Sequence, residues 1–183
     1  MSELISGPSS ASAPHVRIDL PPGFTGQPVV GSPEGEDSVR LFGRFAVGGD
    51  APEPATFSLA VVELTRPGAA PVAHLTRDRG LVAEALRAQY QQHRPEADTR
   101  VIDLTIGPAL AAVTAAEYRL PPEMSGHSRE VVRPVFRIEV QIPAPDGRHL
   151  VVVDVTTESE ADWPAVAEET VRIANSIRVE PRE

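Results

Sequence analysis

The chain has 183 residues, a formal net charge of −9, 41% hydrophobic and 4% aromatic residues, and no cysteine. That length suits one domain able to bury a core of its own, and the acidic balance disfavours nucleic acid and anionic membrane surfaces. Absence of cysteine removes disulfides, thiol nucleophiles and thiolate metal sites, and the scarcity of aromatics leaves Val, Leu, Ile and Ala to build the core.

Residues 1–14 are rich in Ser, Ala, Gly and Pro and poor in large apolar groups, so a disordered tail is expected there. A single domain then spans 15–183. Val16 to Leu20 alternates as a short strand ended by Pro21-Pro22-Gly23, and a Gly/Pro/acidic loop runs on to Asp37. Val39 to Val47 and Glu53 to Leu64 read as strands joined at Gly48-Gly49-Asp50-Ala51-Pro52, hence as a hairpin.

Val82, Leu86, Tyr90 and His93 recur at helical spacing, which predicts a helix over Asp78 to His93 capped by Asp78 and lying on a sheet face. Val101 to Ile106 is the next strand. Ala109 to Leu120 is ambiguous, because alanine favours helix while Val113, Thr114 and Tyr118 suit a strand; its place between Gly107-Pro108 and Pro121-Pro122 suits a strand somewhat better. Pro121 to Arg129 reads as a loop.

The last third is the clearest. Phe136, Ile138, Val140 and Ile142 alternate with Arg137, Glu139 and Gln141, Pro145-Asp146-Gly147 turns the chain, and His149 to Thr156 is apolar on both faces, as a strand inside a covered sheet is. A final helix starts near Asp162, read as its N-cap, with Pro164 in its first turn and Glu158 and Glu160 before it. Trp163, Val166, Thr170, Ile173 and Ile177 form its apolar stripe.

The fragments "DLPPGF", "GPALAAV" and "RIEVQIPAPDGRHLVVVDVTTESEADWPAVAEETVRIANSIRV" resemble the PsbP-like superfamily, which includes the Ran-binding Mog protein and actinobacterial lipoproteins of the LpqN type. The resemblance implies an α+β fold, an α/β/α sandwich around an antiparallel sheet, and members that act mostly as non-enzymatic adaptors, assembly factors or chaperones without a shared catalytic set. All 17 basic residues are arginine, which points to a GC-rich, actinobacterial genome. The chain lacks the lipidation cysteine of the lipoprotein members, and its first residues do not form a secretory signal, so a cytoplasmic location is expected.

Candidate chemistry is sparse. His15, His74, His93, His127 and His149 stand apart from one another and from carboxylates at ligand spacing, so no metal and no cofactor is expected. Ser125-Gly126-His127-Ser128 lacks the strand-to-helix setting of a nucleophile elbow. Glu158, Glu160 and Asp162 lack the spacing of a calcium loop and read as capping residues, while Gly48-Gly49 and Gly31 to Gly35 read as turns rather than phosphate loops. Trp163 is the only tryptophan and reads as the anchor of the last helix, with an interface role as the alternative. Arg77, Arg79 and Arg87 read as solvated, with an acidic partner as the alternative. The expectation is a non-catalytic adaptor, chaperone or accessory domain with a protein partner, an apolar patch between sheet and helices, and loops 21–37 and 121–129 around it. Bacterial secretion is one setting; a homo-oligomer paired through an edge strand, and then a hydrolase using His127 or His149 with a carboxylate, are the alternatives.

Overall fold

An apolar run needs neighbours on both sides, and the run His149 to Thr157 has them. The computed structural model describes residues 2–5, 14–29, 37–64, 78–126 and 128–180. The chain order is β1 (Ser2–Ile5), β2 (His15–Asp19), β3 (Thr25–Pro28), β4 (Asp37–Phe45), β5 (Ala55–Glu63), α1 (Arg79–His93), β6 (Asp98–Leu104), β7 (Gly107–Leu120), α2 (Pro122–Ser125), β8 (Val131–Pro143), β9 (His149–Thr157), α3 (Trp163–Ser176) and β10 (Arg178–Glu180). A seven-stranded sheet has the order β3-β4-β5-β9-β8-β7-β6, and every pairing in it is antiparallel. β9 is therefore the middle strand. A second sheet, β1-β2-β10, has three strands.

Alternation decides which side chains face the core. Val151, Val153 and Val155 of β9 lie beside Leu59 and Phe57 of β5 and Ile142, Val140 and Ile138 of β8, all buried. α3 closes this face with Val166, Ile173 and Ala174, and Ile177 follows at its end. Val16 and Ile18 of β2 join the same core, where the Ser176 hydroxyl accepts from the Asp19 amide at 2.9 Å. α1 packs on β6, β7 and β8. It lies on the opposite face, since its Tyr90 meets Glu139, which alternates with Ile138 and Val140. The result is the expected α+β sandwich with helices on both faces of an antiparallel sheet.

Several expectations need correction. Ser2–Ile5 pairs antiparallel with β2, so disorder does not hold there; the exposed edge of β2 supplies backbone partners that local composition does not reveal. Residues 6–13 lie outside the described residues. The loop after Gly23 contains β3, a four-residue strand too short and polar to announce itself. The loop 121–129 contains the four-residue helix α2. Ala109 to Leu120 is strand, because pairing with β6 and β8 overrides the helix propensity of alanine. The β4–β5 hairpin is as expected.

Asp162 does not cap α3. Its own backbone is helical, and its carboxylate turns outward to accept from Glu53 N at 3.0 Å, from Gly49 N at 3.4 Å and from the Ser159 hydroxyl at 2.8 Å. It thus pins the β4–β5 turn to the start of α3. Gly48 makes room for it: φ is +128°, and a Cβ there would sit 2.3 Å from Asp162 Oδ1.

The Ser159 hydroxyl first, then the Glu53 and Gly49 amides, hold the Asp162 carboxyl below the usual carboxylate range. A depressed pKa stabilises the fold fully above the unfolded value of about 3.9, and that stability is lost as pH falls through the folded value. Asp162→Asn is therefore expected to lower the melting temperature by a few degrees at neutral pH, with the gap to wild type closing as pH falls below the ordinary carboxylate range. Paired thermal melts across that range check it.

Candidate functional site

Beside α1, the second face of the sheet carries a cleft of about 450 Å³ lined by Leu86, Gln89, Tyr90, His93 and Arg94 from the helix side and by Glu139, Gln141 and Leu150 from the sheet. The helix stands there for a local reason. Asp78 caps it, accepting from Gly80 N and Leu81 N at 3.0 and 3.2 Å, and Ala83 is fully buried on the side where Leu110 and Ala112 of β7 are also buried. Small residues let helix and sheet approach closely at that end. Further along, Leu86 and Tyr90 are only partly buried, and the cleft begins.

The floor of the cleft is a charge network across β8 and β9. Glu139, 9% exposed, accepts from Tyr90 Oη at 3.2 Å, from Arg137 Nη2 at 2.9 Å and from Gln141 Nε2 at 2.5 Å. Arg137 also holds Asp154 through Nε at 3.0 and 2.9 Å and through Nη2. Glu139 and Asp154 face each other in the β8–β9 ladder, and like charges directly opposite would repel. Arg137 between them is the remedy. Burial works against the Arg137 charge, but hydrogen bonds and charge from Asp154, with Glu139 beyond it, outweigh burial and raise its pKa. Burial first, then the charge of Glu139, raises the Tyr90 pKa, so its hydroxyl stays protonated and donates. Arg94 lies 6.0 Å from the Tyr90 ring centroid, a cation at the mouth.

Chemically, this floor offers acceptors and donors already bonded to one another. Leu86, Leu150 and the Tyr90 ring supply apolar contact, and Gln89, Gln141 and Arg94 supply hydrogen bonds. A smaller hollow of about 280 Å³ on the same face is lined by Arg44, Glu53, Thr56, Val135, Thr156 and Glu158.

The residues singled out in the sequence are mostly elsewhere. His149 is 5% exposed, and its Nδ1 lies 2.6 Å from Asp146 Oδ2, so this pair staples the β8–β9 turn. Burial raises the Asp146 pKa, yet the Arg148 amide and the His149 side chain and amide outweigh it, leaving it lowered. His93 ends α1 with Nδ1 2.8 Å from the Gln89 carbonyl oxygen, and His15 begins β2. His74, His127, Arg77 and Gly31 to Gly35 lie outside the described residues. Among the described residues, no three or more His, Cys, Asp or Glu gather as a metal site would require. Ser125 closes α2, and Gly126 takes the left-handed conformation at its end.

Glu158 pairs with Arg133 at 3.5 Å, and Glu160 is exposed. Trp163 stacks on Phe136 with ring centroids 5.1 Å apart, as an anchor of α3 should. Arg87 is a surface residue paired with Glu84 at 2.8 Å. Arg79 is not simply a solvated surface residue: it is half-buried, its Nε donates to the Pro143 carbonyl at 2.9 Å and its Nη1 to the Ile106 carbonyl at 2.5 Å, tying the start of α1 to the ends of β6 and β8. Phe24 sets its ring edge on Phe57, centroids 5.7 Å apart, which fixes the end of the Pro21–Gly23 turn.

No protein-family model matches the chain, and no curated protein matches it in sequence. Its structure is similar to the crystal structure of LpqN, a protein involved in cell envelope biogenesis of Mycobacterium tuberculosis, with a TM-score of 0.52 and 12% identity over 99% of this chain and 91% of that one. A structure from Bacteroides thetaiotaomicron VPI-5482 aligns with a TM-score of 0.48 and 10% identity over 92% of this chain and 45% of that one. The LpqN likeness is one of fold.

Removing Arg137 leaves two carboxylates facing each other. Arg137→Met is expected to cost about 2–3 kcal/mol, less than for a fully buried pair because part of the network reaches solvent. Replacing Asp154 with Asn as well should recover part of that loss. Urea denaturation of the single and double variants measures both.

Proposed function

We propose that this chain is a non-catalytic binding domain that receives a segment of a partner protein in the cleft beside α1. The observation that carries the reading is the floor: Glu139 has three donors from its own chain and Arg137 is shared between two carboxylates, so the charged groups there are already committed to one another. A satisfied polar floor beneath Leu86 and Tyr90, with Leu150 beside it in β9, suits recognition by shape, apolar contact and rim hydrogen bonds.

Two further considerations support it. The α+β sandwich is of the kind that the PsbP-like resemblance implies, and members of that superfamily are mostly adaptors and assembly factors. The fold likeness to LpqN, a protein of cell envelope biogenesis, orients the proposal towards an accessory role in that process. Together they make an envelope-related adaptor or chaperone the leading version. The cytoplasmic expectation stays within the proposal, with the domain meeting envelope machinery from the inner face of the membrane. No helix among the described residues is long and apolar enough to cross one.

The test is capture that depends on the cleft. A photo-crosslinking side chain at Gln89 is expected to trap a protein from the native organism that the same group at Val171, exposed on α3, does not. Gln89→Arg and Leu86→Arg should each weaken the purified complex at least tenfold, with unchanged circular dichroism showing that the fold survives. A complex indifferent to both variants would remove the cleft from the account.

A further inference from the structure

β7 and β8 are longer than the strands that flank them. β6 pairs with β7 only from Gly107 to Val113, and β9 pairs with β8 only from Phe136 to Pro143, whereas β7 and β8 pair with each other out to Leu120 and Val131. Residues 114–120 and 131–135 therefore make a two-stranded arm whose edges have no partner strand among the described residues. Ala115 to Arg119 are all exposed, Tyr118 at 46%.

The two edges differ. Ala144 N donates to His149 O across the β8–β9 pair, so even-numbered residues of β8 direct their backbone groups towards the β9 side and odd-numbered ones towards β7. Pro134 thus faces the free edge of β8 and blocks it, having no amide to offer. Glu117 lies opposite Pro134, so Ala115, Glu117 and Arg119 present their amides and carbonyls on the other edge of the arm, free of proline.

We infer that this edge of β7 is a self-association strand, pairing antiparallel with the same strand of a second copy about a two-fold axis through Tyr118. The register follows from symmetry and charge. Such an axis stands normal to the sheet and preserves its faces, so only residues of the same parity come opposite each other. Centred on Tyr118, it sets Glu117 of each copy against Arg119 of the other, Tyr118 against Tyr118 and Ala116 against Leu120. Centred one residue either way, it sets Glu117 against Glu117 or Arg119 against Arg119, which repel. Glu117 and Arg119 are more than half exposed and 3.5 Å apart within one chain, and Arg119 also pairs with Glu130 at 3.2 Å, so the exchange trades these surface pairs for intermolecular ones by side-chain rotation. An edge this short buries little surface, and the dimer is weak and concentration-dependent. This pairing is independent of the α1 cleft.

Sedimentation of the full chain from micromolar to millimolar concentration tests the pairing. A reversible monomer–dimer equilibrium is expected. Glu117→Arg alone should raise the dissociation constant about tenfold by turning two attractions into repulsions, and Glu117→Arg with Arg119→Glu should return it close to the wild-type value. The chain has no cysteine, so register is read separately: Tyr118→Cys places two thiols in a non-hydrogen-bonded pair with Cα atoms about 4.5 Å apart, within disulfide reach, while Ala116→Cys leaves them about 13 Å apart. Oxidation should link the first and not the second. A chain monomeric throughout, or a dimer indifferent to charge reversal that links equally through both positions, overturns the inference.

Discussion

The structure depends on one dry interface, where Val151, Val153 and Val155 of the middle strand meet Val166, Ile173 and Ala174 of α3. Each of these side chains is fully withdrawn from water, and burial of that kind contributes about 1.5–3 kcal/mol per large side chain. β5 and β8 flank the middle strand and extend the same apolar row with Phe57, Leu59, Ile138 and Val140. Asp162 then ties the β4–β5 turn to the foot of the helix, and Ser176 ties its end to β2. These side chains are committed to holding the sheet, the helix and β2 together.

The two proposed recognition surfaces therefore lie on the other face and along the arm. α1 lies over β6, β7 and β8 on that face, and its first half is fixed by Asp78, Ala83 and Arg79. Its second half lies over the Tyr90–Glu139–Arg137–Asp154 network, which is stiffened by shared hydrogen bonds. The polar rows of β8 and β9 thus do two jobs at once: they neutralise opposed carboxylates and they form the floor of a cleft. The arm beyond Val113 adds a separate surface, governed by backbone pairing and charge order rather than by a pocket.

Much of the fold was legible because alternation and helical spacing are local. Phe136 to Ile142 and His149 to Thr156 declare themselves in a single strand, and the stripe from Val166 to Ile177 predicts the lid. Ala109 to Leu120 was harder, since its strand character comes from two partners distant in sequence. A surface between sheet and helix was expected, but as an apolar patch, and the charged floor of the cleft was not. Arg137, Glu139 and Gln141 marked a polar face, and Asp154 interrupted an apolar run, but their meeting with Tyr90 needs the β8–β9 register and the placement of α1. Arg79 and Asp162 were misjudged for the same reason, as each acts on backbone groups tens of residues away.

The central claim, that one face holds the molecule together while the other receives a partner, is tested most directly by amide hydrogen exchange of the chain alone and in complex. The account predicts slowest exchange in β5, β8 and β9 of the free chain, and new protection on binding confined to the second half of α1 and the strands beneath it. New protection centred on α3 and β2 instead would contradict it.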